Sequence, residues 1–272
     1  MLTYSQLGRH GNTGNSMFQF AALVGASKST GFQLCVPKRE SYYDVNYKCY
    51  NRSIFDGFDI DCNIVSDEKK FKHEYSEPHF HYSPDIKNIN DNTNITGYYQ
   101  TEKYFDHCKQ EILNYFTFKT EVKAKVYHRI YKGVYPDPKL CTSIHIRRGD
   151  YVQKQDYHPL LGPEYYKKAC KKTDTEYYVI FSDDIDWCIE AFGKDKRLIY
   201  SIDEDPFEAM FHMSLCTNHI ICNSSFGWWG SWLGEMASPK KESIIVAPSK
   251  WFGPAHSMYD PKDIIPDRWI TI

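Results

Sequence analysis

The sequence predicts an α/β fold made of two domains, and three observations support this prediction. After residue 140, short apolar segments alternate with segments of helical periodicity, a pattern typical of a parallel sheet covered on both faces. At the amino terminus, an apolar run, a glycine-rich turn and a buried helix follow one another, as at the start of nucleotide-binding α/β domains. Between these regions, Pro136 and Pro138 forbid a continuing helix, so residues 133–139 are predicted to be a linker. The predicted domains are therefore residues 1–135 and 136–272.

The first domain shows few clear elements. The pattern predicts a strand at residues 2–7, a helix at 16–29, a strand at 95–99 and a helix at 102–118. The glycine spacing between the first strand and helix differs from the dinucleotide fingerprint GxGxxG, so an NAD site is not supported. Residues 35–83 contain no pattern that we can interpret.

The second domain has a cleaner pattern. In chain order it predicts a strand at 141–146, a helix at 163–172, a strand at 177–181, a helix at 186–192, a strand at 197–200, a helix at 206–216, a strand at 219–222, a helix at 225–236 and a strand at 243–247.

Composition excludes several classes of protein. The 33 basic residues nearly balance the 35 acidic ones, so no electrostatic footprint for nucleic acid is visible, and any anion must be bound by a local cluster. The nine cysteines are scattered, without a CxxC motif, and reduced thiols are expected. Neither a signal peptide nor an apolar stretch of ~20 residues occurs. We therefore expect a cytoplasmic protein without an integral membrane segment.

The most informative segment is His145-Ile146-Arg147-Arg148-Gly149-Asp150-Tyr151, which follows a predicted buried strand. Open α/β sheets bind their ligands where such strands end. Arginine offers a planar fork of donors that matches phosphate oxygens, so Arg147 and Arg148 predict a phosphate-binding site. For an isolated motif, a surface ion pair with Asp150 would be the simpler interpretation.

Two further loops follow predicted strands. Asp183 and Asp184 could hold a metal, cap the next helix, or accept the paired N–H donors of guanine, which adenine lacks. Ser224 and Ser225 stand at the start of a predicted helix, where free N–H groups and the helix dipole favour an anion. The tryptophans that follow, at 228, 229 and 232, are predicted to pack in the core.

A fourth segment lies near the amino terminus. Glycines such as Gly14 let the backbone approach a ligand closely, and Asn15 offers both a donor and an acceptor. A helix cap is the simpler interpretation of Asn15.

Together these segments resemble the glycosyltransferase family 11 fucosyltransferases, best known as α-1,2-fucosyltransferases that act on galactosides. The family signature HxRRGDY is intact at 145–151, GGLGNQMFQYA appears as GNTGNSMFQFA at 11–21, and NSSFSWWGAWL appears as NSSFGWWGSWL at 223–233. Three of the departures from these patterns matter, at Asn12, Ser16 and Gly227. Ser16 replaces a glutamine, and this change bears most on the choice of acceptor.

The resemblance implies a GT-B-like fold, with two Rossmann-like domains facing a cleft. The first domain would lie on the acceptor side and the second would bind GDP-fucose. The reaction would be an inverting transfer of L-fucose to a galactoside hydroxyl. Alternatives are another linkage or acceptor, such as an α-1,6 linkage or a protein hydroxyl, and a noncatalytic protein that binds glycans or nucleotide sugars.

The resemblance also implies roles for individual residues. Arg147 would neutralise the diphosphate, and Arg148 would assist it or brace the loop. Ser224, Ser225 and the Phe226 amide would hold the phosphates from the other side, and His145 and Asp183 would contact guanosine, with Asp184 as the alternative. The donor-binding residues would include Gly14, and the catalytic ones Arg147, Asp150 and Asn15.

No metal or other cofactor is expected, because arginine can stabilise the departing diphosphate. Asp184 and Asp186 form the Asp-x-Asp pair that could contradict this expectation. The general base for the acceptor hydroxyl is left open between Asp150 and Asp156. A structural role is favoured for Asp150.

Overall fold

The computed structural model describes residues 1–44, 49–202, 204–237 and 242–272. The chain forms two compact units, the first made of Met1–Thr117 and Tyr259–Pro266 and the second of Phe118–Met258 and Asp267–Ile272. The boundary thus differs from the predicted division at 135/136. The difference arises because an unpredicted helix, Thr120–Tyr131, packs on the second unit's helix Pro206–Leu215. Its Lys125 forms an ion pair with the buried Glu208 of that helix.

The first unit contains the following strands and α-helices: β1 (Leu2–Thr3), α1 (Thr13–Thr30), β2 (Leu34–Val36), β3 (Tyr42–Asp44), β4 (Cys49–Asn51), α2 (Ile54–Gly57), β5 (Asn63–Ile64), β6 (His73–Ser76), β7 (Thr93–Thr96) and α3 (Lys109–Tyr115). Five strands form a parallel sheet in the order β5-β2-β1-β7-β6, and β3 pairs with β4 in antiparallel orientation.

The elements next to the glycine-rich turn differ from their predicted bounds. β1 ends at Thr3 because the Ser5 N–H donates to the Asn94 side chain instead of continuing the ladder. α1 begins at Thr13, with Asn12 in the capping position. The predicted helix start at residue 16 is therefore wrong, and so is the interpretation of Asn15 as a helix cap.

The predicted helix at 102–118 is also wrong over its first half. Two short 3₁₀ turns replace it there, and only α3 is α-helical. The Tyr104 carbonyl lies so close to Gly25 of α1 that a Cβ atom at position 25 would come within 2.0 Å of its oxygen. That carbonyl is turned towards α1, which interrupts the helical path of the chain.

The second unit contains α4 (Thr120–Tyr131), β8 (Cys141–Ile146), α5 (Pro163–Cys170), β9 (Tyr177–Ser182), α6 (Ile185–Phe192), β10 (Leu198–Tyr200), α7 (Pro206–Leu215), β11 (Asn218–Ile220), α8 (Ser225–Ala237), β12 (Ile245–Ala247) and β13 (Ile270–Thr271). All strands and helices predicted between residues 141 and 247 are present. α4 and β13 were not predicted.

The sheet of the second unit is parallel throughout, in the order β10-β9-β8-β11-β12-β13. Numbered within the unit, this order is 3-2-1-4-5-6, which is that of a Rossmann fold. Every residue of β8 is buried, including the polar Thr142, Ser143 and His145. Trp228, Trp229 and Trp232 of α8 are fully buried, and the prediction that they pack in the core is confirmed.

None of the helices in the described ranges combines the length and the apolar character that crossing a membrane requires.

Candidate functional site

The strand order of the second unit places two of the predicted loops side by side. β8 and β11 are neighbours, and the chain leaves them in opposite directions along the sheet, so they flank the switch point of the Rossmann fold. Ligands of such folds bind beyond the carboxyl ends of the strands at this point. The loop after β8 carries Arg147, and the loop after β11 carries Ser224.

Arg147 is held between two carboxylates. Its Nη2 lies 2.7 Å from Asp150 Oδ1, and its Nη1 lies 2.8 Å from Asp183 Oδ2. Burial by itself would lower the pKa of Arg147, but the Asp183 and Asp150 carboxylates outweigh it and raise the pKa above its ordinary value. The guanidinium is therefore a fixed, permanent positive charge at the end of β8.

Arg148 is braced against α6. Its Nε lies 2.9 Å from Asp184 Oδ2, and its guanidinium carbon lies 4.0 Å from the centre of the Trp187 ring. Asp184 also caps α6, because its Oδ1 accepts the Trp187 backbone N–H. Helix capping is thus one of the two functions of Asp184. These contacts favour the bracing role for Arg148 over direct phosphate binding.

Asp183 links the two arginines. Its Oδ1 accepts the Arg148 backbone N–H at 2.8 Å, while its Oδ2 faces Arg147. The carboxylate rests against Gly149, where a Cβ atom would come within 2.4 Å of Oδ2. Asp183 therefore anchors the arginine loop, and a contact with guanosine stays a prediction.

His145 lies against the first turn of α8. Its side chain is buried, its Nδ1 is 3.4 Å from the Cys222 sulfur, and its ring centre is 5.4 Å from that of Phe226. Burial, with a smaller contribution from the Arg147 charge, lowers the pKa of His145 to about 3. The imidazole is therefore neutral at physiological pH.

The loop after β11 leads directly into α8. Ser225 is the first residue of this helix, and the buried Ser224 accepts the Trp228 N–H with its backbone carbonyl. Asn223 ties the loop to its surroundings, because its Nδ2 donates to the carbonyls of Pro159 and Trp251. The loop presents the amino end of a 13-residue helix, as the sequence predicts.

Gly14 and Asn15 lie in the first unit, in the first turn of α1. Asn15 Oδ1 accepts the Gln100 side-chain N–H at 2.7 Å. Its Nδ2 lies so close to Gly11 that a Cβ there would be 2.0 Å away, and Gly11 has a φ of 84°. The motif glycine thus lets the turn close over the Asn15 side chain.

In the described part of the chain, no group of three or more His, Cys, Asp or Glu side chains is arranged to hold a metal ion. Asp184 of the candidate Asp-x-Asp pair is engaged by Arg148 and by the α6 backbone.

Sequence reasoning missed the contributions of Tyr151, Asn223 and Trp187. Tyr151 donates its hydroxyl hydrogen to the Asn223 carbonyl at 3.1 Å, and Trp187 packs on Arg148. The first two residues stand inside the motifs, and this position is the signal that could have identified them. Trp187 carries only a weak signal, as an aromatic residue three positions after a helix-capping aspartate.

Comparison with known proteins agrees with this geometry. The family model described as "Glycosyl transferase family 11" matches residues 9–272 of this chain. The chain belongs to glycosyltransferase family 11. The resemblance given by the three motifs is thereby confirmed, and with it the assignment of the chain as a glycosyltransferase.

Three relatives illustrate the range of the family. An O-antigen biosynthesis glycosyltransferase of Escherichia coli, WbnK, is 30% identical over 65% of this chain, which spans only 60% of that protein. An α-1,2-colitosyltransferase of Escherichia coli is 28% identical over 96% of both chains. Galactoside α-(1,2)-fucosyltransferase 1 of Lagothrix lagotricha is 21% identical over 96% of this chain and 73% of its own length.

The fold is similar to that of a solved fucosyltransferase. The crystal structure of NodZ α-1,6-fucosyltransferase soaked with GDP-fucose superposes with a TM-score of 0.55 at 14% identity, over 85% of this chain and 92% of NodZ. This similarity and the two parallel sheets confirm the predicted α/β, GT-B-like fold class.

Proposed function

We propose that this family 11 glycosyltransferase transfers L-fucose from GDP-fucose to a hydroxyl group of a galactoside, forming an α-1,2 linkage. The observation that carries the proposal is the Arg147 guanidinium, fixed between Asp150 and Asp183 at the switch point of a Rossmann sheet. A permanent cation at this point suits the diphosphate of a nucleotide sugar. The α-1,2 linkage is supported by two relatives, and the donor by the NodZ structure soaked with GDP-fucose.

The reaction would be a direct displacement. The acceptor oxygen forms a bond to the anomeric carbon of β-linked fucose while its proton passes to a general base. The bond to the diphosphate oxygen breaks, and GDP leaves with the electron pair. The product is an α-fucoside. Negative charge grows on the diphosphate as the bond breaks. A hydrogen-bond donor that already points at the diphosphate oxygen therefore lowers the barrier.

Arg147 has the hydrogen-bonding capacity for this role. A guanidinium carries five N–H donors, and the two carboxylates of the described structure engage one hydrogen on each terminal nitrogen. The remaining N–H groups can meet diphosphate oxygens. Ser224, Ser225 and the Phe226 amide, at the amino end of α8, would meet the phosphates from the other side.

The charges around Arg147 indicate that it acts by being held in position for the diphosphate, and not by a net positive charge that attracts the diphosphate. Arg147, Arg148 and Lys154 are paired with Asp150, Asp183 and Asp184, so three positive and three negative charges balance within this group. Carboxylates that hold Arg147 in place remove the cost of orienting it during the reaction. On this basis we propose that transfer needs no divalent metal ion.

The remaining roles are those that the family resemblance implies. His145 and Asp183 would contact guanosine, with Asp184 as the alternative. Gly14 would contribute to binding the donor, and Asn15 would be catalytic. Asp150 faces both Arg147 and Lys154, which supports a structural role. Asp156 is exposed on the next loop and is our candidate for the general base.

The test is an acceptor-dependent transfer assay. Purified protein with GDP-fucose and lactose should release GDP only when lactose is present, and NMR of the product should show an α-1,2-linked fucose. GDP-fucose binding without release of GDP would instead indicate a noncatalytic nucleotide-sugar-binding protein. A product with another linkage would keep the donor and correct the acceptor position.

A second donor deserves a parallel assay. The α-1,2-colitosyltransferase matches this chain over 96% of both sequences. Colitose is a fucose that lacks the 3-hydroxyl group, so the two donors differ by one polar group. A site built to bind that hydroxyl should prefer fucose strongly, because its polar partner would otherwise be left unpaired. The ratio of kcat/KM for the two donors decides between them.

A further inference from the structure

Tyr151, the last residue of the arginine motif, contacts both loops of the proposed donor site. The Arg147 guanidinium carbon lies 5.8 Å from the centre of the Tyr151 ring. At its other end, the Tyr151 hydroxyl donates to the Asn223 backbone carbonyl at 3.1 Å, in the loop that leads into α8. Burial is the main cause of a strongly raised pKa of this phenol, which therefore stays a hydrogen-bond donor.

This hydrogen bond is important because the pairing of β8 with β11 does not extend into the two loops. The register between β8 and β11 ends at the pair Ile144 and Ile220, before either loop begins. The Arg147 backbone N–H also faces the Cys222 thiol, but sulfur is a weak acceptor. The Tyr151 hydroxyl supplies the stronger connection between the loops.

His158 in turn holds the Tyr151 ring. The two rings stack with their centres 4.5 Å apart and their planes 12° apart. The backbone around His158 is fixed as well, because the Tyr157 carbonyl accepts the Gly253 N–H and the Pro159 carbonyl accepts the Asn223 side chain. His158 therefore stacks on Tyr151 from a segment that hydrogen bonds anchor on both sides of it.

We infer that Tyr151 and His158 are positioning residues, which set the distance between Arg147 and the amino end of α8 so that both reach one diphosphate. This inference rests on the proposed function. The aromatic pair touches Arg147 and the Asn223 loop, and through them it acts on the departing GDP. A preorganised hydrogen-bond donor that is moved out of place stabilises the transition state less, while the substrate in its ground state is still bound almost as tightly.

Tyr151→Phe is the sharpest test, because it removes one hydroxyl and keeps the ring. Loss of one hydrogen bond should lower kcat by about threefold to tenfold, while the KM for GDP-fucose changes less than about twofold. The matched control is Tyr178→Phe, which removes a hydroxyl that donates to the Cys170 and Thr173 carbonyls far along β9 from the arginine loop. The control should keep the wild-type kcat.

His158 provides a second, independent test. His158→Phe keeps a flat ring and should retain kcat within about twofold, whereas His158→Ala removes the stacked ring and should lose about tenfold. Equal losses in both variants would mean that an imidazole nitrogen contacts the substrate, which overturns the positioning role. If His158→Ala does not fold, Tyr151→Phe and His158→Phe decide the question.

The outcomes separate this inference from the proposed function. Wild-type protein that does not transfer fucose contradicts the proposed function and the inference together. Active wild-type protein with an unchanged kcat in Tyr151→Phe contradicts the inference alone. A Tyr151→Phe variant that changes only the KM would assign Tyr151 to ground-state binding and would also overturn the positioning role.

Discussion

Gly227 and His145 are packed so closely that a Cβ atom at position 227 would lie 2.5 Å from the imidazole Nδ1. Gly227→Ala should lower the free energy of unfolding by about 1 to 3 kcal/mol, the usual effect of overpacking a buried site. Gly162→Ala is the control, because no atom beyond its own chain neighbours lies within 4 Å of its added Cβ. Equal unfolding curves for the two variants would show that His145 has room to move.

Asp183→Asn tests whether this carboxylate recognises guanine or anchors Arg147. Removing its charge should weaken GDP binding by about 1.5 to 3 kcal/mol, the scale of hydrogen bonds to charged groups. Calorimetry with GDP and with inorganic pyrophosphate separates the two roles. If Asp183 only anchors Arg147, both ligands lose affinity equally, and if it binds guanine, GDP loses more. The exposed Asp174→Asn is the control.

Arg147→Lys keeps the charge and removes the planar fork. The variant should fold normally and lose about 3 kcal/mol of transition-state stabilisation, or roughly a hundredfold in kcat. Its affinity for GDP should fall much less. Steady-state kinetics and calorimetry measure the two effects. Normal turnover with a raised KM for the sugar donor would mean that Arg147 binds the ground state and the transition state equally. Arg148 would then be the candidate for stabilising the leaving group.

Fucose transfer should continue in excess EDTA. The expected reason is that Arg147 and the amino end of α8 stabilise the leaving diphosphate. The assay compares initial rates with and without the chelator. A rate that EDTA abolishes and magnesium or manganese restores would show that a metal ion is required, and Asp184 and Asp186 would be the first ligands to test.

His158 makes stability depend on pH in a defined range. Burial, followed by the nearby His256, lowers the pKa of His158 from 6.5 to about 4. Between pH 6.5 and about pH 4, His158 is protonated in the unfolded chain but neutral in the folded protein. The free energy of unfolding therefore decreases as the pH is lowered through this range. The loss is at most about 1.4 kcal/mol per pH unit.

Urea unfolding of the wild type and His158→Phe across this range measures the contribution. The variant should lose less stability on acidification than the wild type, and the comparison cancels the other titrating groups. Parallel pH profiles for the two proteins would contradict the lowered pKa.

The sequence predicted the second unit better than the first for a physical reason. The strands of a buried parallel sheet are mostly apolar, and β9 shows this pattern in the buried run Tyr178-Val179-Ile180-Phe181. In the first unit β1 and β5 are two residues long, too short for any periodicity to appear. The interruption near Tyr104 depends on contact with Gly25, which is distant in sequence.

The candidate site was predicted in part. The strand pattern identified the loops that carry Arg147 and Asp183 and the loop before α8, because each directly follows a predicted strand. The sequence could not show that Asp183 bonds to both arginines, or that Tyr151 reaches Asn223, since those distances exist only once β8, β9 and β11 are adjacent.

The last residues of the chain serve both units. Asp263 belongs to the first unit, where it accepts the Tyr82 N–H and pairs with Lys103, whereas β13 completes the edge of the second sheet. A nonsense mutation that removes residues 259–272 would therefore damage both units at once. We expect cells to degrade such a product. Because each unit is made of two separate stretches of the chain, no single continuous piece of the gene encodes either unit alone and in full.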